Sequence, residues 1–165
     1  MIIDTLRRLS LLVLLCLLQA LVLNRIKIDH CATPLLYVYF AIIFPRKYPR
    51  WASLLWAFLM GLSIDIFSNT PGLASASMTL VAVLQPYLLE FFLPRDAEEN
   101  IKVSSNAIGR GNFAALASIM VVIYCVVFFT LESFSFFNWI DWLESIGGSI
   151  VLTLLLVFTF ESVRK

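Results

Sequence analysis

The chain has 165 residues, of which 61% are hydrophobic and 14% charged. A soluble globule this short cannot hide so much apolar surface, so the bilayer must act as its solvent. A net charge of +1 argues against a nucleic-acid partner, and one integral membrane domain over residues 1–165 leaves no room for a separate soluble module.

The first apolar stretch, Leu9 to Leu23, follows Arg7 and Arg8. It resembles a signal peptide, but Gln19, Asn24, Arg25 and Lys27 stand where a small-residue cleavage site would lie, so it reads as an uncleaved span. It reaches the minimum of about 17 residues when the two arginines snorkel to the interface. The second stretch, Pro34 to Phe44, is short. It must borrow from Ile28 to Thr33, or be tilted, short or re-entrant. The third, fourth and fifth, Trp51 to Phe67, Leu73 to Leu93 and Phe113 to Leu131, are long enough unaided. The sixth, Ile146 to Phe160, is long enough when it starts near Asn138. These segments predict an all-α, polytopic transmembrane helical bundle with spans near 6–26, 30–45, 50–68, 72–93, 112–132 and 141–161. Five spans plus a re-entrant segment is the alternative.

Charge asymmetry favours six. With the N-terminus inside, the inner side holds Arg7, Arg8, Arg46, Lys47, Arg50, Arg95, Lys102, Arg110, Arg164 and Lys165, and the outer side only Arg25 and Lys27. Ten against two is a strong positive-inside bias, and removing the second span would reverse every later loop. Both termini are therefore expected in the cytoplasm. Residues Pro94 to Asn112 read as a polar cytoplasmic linker. The last outer loop, Glu132 to Ser145, carries five aromatics suited to a headgroup belt. Asn138 is expected to cap an interfacial turn there, with Trp139, Trp142, Leu143 and Ile146 on one face.

Asp65 is the most informative residue. A carboxylate near the outer end of the third span is costly in lipid and should face protein or water. Ser53, Ala57 and Gly61 precede it at four-residue intervals, forming a small-residue ridge that lets another helix approach and leads to the acid. Gly72 to Ser77 opens the fourth span with equally small residues, so close packing of these two spans is expected. Asp65 would then accept hydrogen bonds from Ser68, Ser75 or backbone donors there. Three roles stay open for it: registering this turn, binding a partner or small ligand, and proton or ion chemistry. If hydrogen bonding alone matters, Asp65→Asn should largely retain assembly. Pro86, after Gln85, removes the donor to the Ala82 carbonyl, which predicts a kink in the fourth span. Gln19 reads as inter-helix glue.

Enzyme signatures are missing. His30 is the only histidine; Cys16, Cys31 and Cys125 show no metal spacing; no second acid is placed to pair with Asp65; and no HExxH, GxSxG or phosphate-binding motif occurs. No catalytic, cofactor-binding or metal residues are therefore assigned.

Four features resemble the bacterial rod shape-determining MreD family. They are Leu18 to Asn24 near the first span, Pro34 to Phe40 opening the second, Gly61 to Ser68 followed by Gly72 and Ala74, and the length with its span count. The Gly-x-x-x-Asp-x-x-Ser element, Gly61, Asp65 and Ser68, is the most specific. The resemblance covers most of the chain and is specific up to about residue 80. It implies a non-enzymatic inner-membrane protein of the cell-wall elongation complex. Such proteins associate with the single-span protein MreC, and through it with MreB, RodA and a class B penicillin-binding protein. The family's helix layout is also similar to substrate-binding subunits of small vitamin transporters, which makes a ligand cavity conceivable. Gly61, Asp65, Ser68 and Gly72 carry over as motif positions without an assigned role.

Overall fold

The computed structural model describes residues 2–23, 33–45, 48–93, 103–133 and 139–164. Its helices are α1 (Ile2–Leu21), α2 (Val38–Ile42), α3 (Arg50–Ser68), α4 (Leu73–Phe92), α5 (Ser105–Ile108), α6 (Arg110–Glu132) and α7 (Trp139–Arg164). Together they make a polytopic transmembrane helical bundle. Arg50–Ser68, Leu73–Phe92, Arg110–Glu132 and Trp139–Val163 are each long and apolar enough to cross a membrane. Helix α1 has 20 residues, but Asp4, Arg7 and Arg8 sit in its first two turns, so its apolar part begins at Leu9.

Side-chain contacts fix the direction of each pass. Gln19, near the end of α1, bonds Pro34, while Arg8, near its start, lies over Phe44 and Tyr48. The segment 33–45 therefore runs back along α1, past about 16 Å of helix. Helices α3 and α4 form an antiparallel hairpin, and Gln85 brings α4 back to Phe44. Ser149 and Thr153 meet Thr33 and Leu35, and Glu161 meets Tyr39, so α7 runs parallel to that segment. The described chain thus crosses the bundle six times, five times as a long helix.

The second pass departs from the predicted helical span at 30–45. Among its described residues only Val38–Ile42 is α-helical, and Thr33 to Leu35 form no helix. Pro34 has no N–H to give a helix. The neighbouring donors are taken from outside: Thr33 N–H donates to Ser149 Oγ and Leu35 N–H to Thr153 Oγ1, each at 3.1 Å. Gln19 Nε2 donates to the Pro34 carbonyl at 2.8 Å, and Gln85 Nε2 to the Phe44 carbonyl at 3.0 Å. Non-helical backbone at membrane depth survives where protein surrounds it. Here Leu35 to Ile42 are all buried, among α1, α3, α4 and α6. This strap, a short non-helical entry followed by a turn and a short helix, is the core of the bundle.

Other boundaries also moved. Helix α1 begins at Ile2, so the charged residues before Leu9 belong to the helix. The described part of the expected 94–112 linker holds α5, capped by Ser104 Oγ accepting the Asn106 N–H, and Asn112 lies within α6. Helix α4 runs continuously through Pro86. The expected interfacial turn is simply the start of α7; Ile146 is buried there, whereas Trp139 and Leu143 are exposed. Asn138, His30 and Cys31 lie outside the described residues. Cys16 and Cys125 are buried free thiols.

Several hydroxyls on the long helices are satisfied within their own helix, which removes unpaired donors from hydrocarbon. Ser63 donates to the Leu59 carbonyl, Ser118 to Ala114 and Thr159 to Leu155, at 2.7–2.8 Å. Exposed leucines, valines and phenylalanines cover the outer faces of α1, α3, α6 and α7.

Candidate functional site

The α3–α4 corner is built from a stop signal and a start signal. Helix α3 ends at Asn69, whose φ of 55° is left-handed, a conformation Asn tolerates better than most residues. The N–H groups of Asn69 and Thr70 both return to the Asp65 carbonyl. Gly72, at φ 87°, then occupies the N-cap of α4. Glycine suits that backbone but brings no side chain to cap the helix.

Asp65 supplies the missing cap from the preceding helix. Its Oδ1 accepts the Ala74 N–H at 2.8 Å and the Thr70 hydroxyl at 3.2 Å, and its Oδ2 accepts the Ser75 N–H at 2.9 Å. Ala74 and Ser75 are the second and third residues of α4, the donors that an N-cap side chain would normally take. The positive end of the α4 dipole adds to the attraction. The carboxylate is 4% exposed, so these bonds form away from water.

The small-residue ridge makes this possible. Ala57 and Gly61 are buried where α3 faces α4. A Cβ on Gly61 would stand 2.4 Å from Ser75 Cα and 2.7 Å from the Ala74 carbonyl oxygen. Only glycine lets the two backbones approach this closely. Ser53, further along the ridge, is half-buried, donates to the Arg50 carbonyl, and shares a shallow cleft of about 80 Å³ with Pro86 and Tyr87. Of the sequence candidates, Ala57, Gly61, Asp65 and Gly72 thus meet at or lead to the corner. Gln19 lies apart from it, and Ser68, at the end of α3, lines a neighbouring cavity together with Gln19.

That cavity, of about 290 Å³, opens at the same end of the bundle. Gln19, Tyr37, Ser68, Thr70 and Glu132 supply its polar lining, and Leu35, Ile64, Phe67 and Phe128 its apolar walls. Asp65 and Gln85 take no part in the lining, because one is committed to the α4 turn and the other to Phe44. Below the cavity, the buried hydroxyls of Tyr37 and Tyr124 bond each other.

Several polar supports carry no sequence signal of their own. Thr70, Ser149, Thr153 and Glu161 look like isolated polar residues beside or within apolar runs. Ser149, Thr153 and Glu161 are nonetheless buried, all on the α7 face that meets the second pass. Their spacing of four and eight residues along α7 is the one clue, since it keeps all three on a single side. Among the described residues no three His, Cys, Asp or Glu side chains gather into a metal-holding group. No family model, curated protein or solved structure matches the chain.

Proposed function

We propose that this chain is a non-enzymatic inner-membrane scaffold of the bacterial cell-wall elongation complex, with both termini cytoplasmic. It binds MreC and, through it, supports MreB-guided lateral peptidoglycan synthesis by RodA and a class B penicillin-binding protein. The reading rests on the MreD-like motif positions, and one observation carries it. Gly61 and Asp65, the most specific of those positions, are engaged in holding α3 against α4. A motif used as a fixed joint suits a protein whose task is to present a rigid helical surface. Co-purification or crosslinking with MreC in native membranes tests the proposal, together with cell shape on depletion. Association and loss of the rod shape are expected. No association together with normal rods would contradict it.

A second reading, a substrate-binding subunit of a small-molecule transporter, is favoured by the cavity lined by Gln19, Ser68 and Glu132. Its volume of about 290 Å³ sits at the small end for ligand pockets, which suits only a compact molecule. A small molecule retained by the purified wild-type protein and lost from Glu132→Gln would favour this reading over the scaffold.

A further inference from the structure

We propose that a groove beside the first turns of α1 holds the phosphate of an anionic phospholipid. The groove has a volume of about 100 Å³ and lies between α1 and the end of the second pass. Asp4, Arg7 and Arg8 form its polar side, and Phe40 and Phe44 its aromatic side. It lies at the opposite end of the bundle from the Asp65 corner, and no part of the scaffold reading uses it.

Arg8 is the central group. Its guanidinium carbon stands 3.9 Å from the Tyr48 ring centroid and 5.3 Å from that of Phe44. Aromatic stacking takes the face of a guanidinium and leaves its edge donors available. No carboxylate among the described residues forms an ion pair with that edge; Asp4, one turn away, attracts it only at longer range. Arg7 lines the same groove with its side chain exposed. Two arginines against one aspartate leave a net charge of +1 in the groove, which complements a phosphodiester monoanion. A zwitterionic headgroup brings its own cation and is matched less well.

The surroundings favour a lipid over a soluble phosphate. Leu11 lines the groove, and Leu14 and Leu18 follow it at three and seven residues on the same side of α1. Both are exposed, at 55% and 37%. An acyl chain would lie along these leucines while its phosphate meets the arginines. Paired arginines at the membrane interface with an apolar runway have the layout of a lipid site.

The test uses the full chain reconstituted in nanodiscs of mixed phosphatidylglycerol and phosphatidylcholine, with retained lipids counted by native mass spectrometry. The wild type should retain phosphatidylglycerol in preference to phosphatidylcholine. Arg7→Gln and Arg8→Gln should each lower that preference about fivefold. Arg7→Gln removes charge without disturbing the stack on Tyr48, so it stands even if Arg8→Gln folds poorly. Arg110→Gln, exposed at the start of α6, should leave the preference unchanged. Equal retention of the two lipids, or a preference that survives both groove substitutions, would overturn the proposal. Added inorganic phosphate should not displace phosphatidylglycerol; displacement would assign the groove to a soluble phosphate and overturn the lipid occupant.

Discussion

Asp65 uses both carboxylate oxygens on backbone donors of the next helix, and this sets what each replacement does. Alanine leaves the Ala74 and Ser75 N–H groups buried without that acceptor. A loss of about 2–4 kcal/mol follows from the usual cost of unsatisfied buried donors. Asparagine has one acceptor oxygen, so its amide NH₂ must face a backbone N–H. The simple expectation that Asp65→Asn largely preserves assembly therefore needs correcting. Thermal unfolding in detergent should rank the wild type above Asp65→Asn and Asp65→Asn above Asp65→Ala. Equal stability of all three would show that the cap contributes nothing. Gly61→Ala tests the same joint from the other side. Its new methyl meets backbone rather than a flexible side chain, so the helices must separate, costing about 1–3 kcal/mol. A melting temperature at or above that of the wild type would refute the close approach.

At the scale of the element, the second pass makes its own turn and helix bonds between Leu35 and Ile43, and neighbours hold the backbone groups at its two ends. Gln19 and Gln85 bond carbonyls near its two ends, and Thr153 accepts a donor near its start. Gln85→Leu and Thr153→Val each orphan one backbone group inside the bundle. Each should cost about 0.5–2 kcal/mol, measured by the same unfolding assay. Unchanged stability in both would mean that these two side-chain bonds do not hold the strap. The Asp65 corner was largely legible in the sequence. A four-residue spacing of small residues falls on one helix face, and an acid at its end must find donors, which the next helix start provides. The strap was less legible. Apolar composition from Leu35 to Phe44 reads the same for one long helix as for a turn and a short helix, and only Pro34 and the segment's shortness pointed to the second. Ser149, Thr153 and Glu161 were missed because a lone polar residue in an apolar run is equally compatible with bonding its own helix, as Ser63 and Thr159 do.

For the whole molecule, the proposed six-span topology and the ten-to-two distribution of basic residues predict the ends and residues 94–102 on one side, and residues 24–32 and 134–138 on the other. Reporter fusions should be active on the cytoplasmic side after Lys165 and within 94–102, and on the outer side within 24–32 and 134–138. Opposite sides for 24–32 and 94–102 are the decisive result, because a second segment that merely dips into the membrane would place them together. The bundle so oriented exposes aliphatic faces on its outer helices, while its best-defined polar joint, at Asp65, is turned inward. Asp65 should therefore affect a partner only through the fold. For the proposed scaffold role the most direct test is the amount of MreC, the proposed partner, that co-purifies per mole of folded protein, compared between the wild type and Asp65→Asn. An unchanged ratio, with less folded protein overall, is the expected result. A folded variant that has lost MreC would contradict it and make Asp65 part of the contact itself.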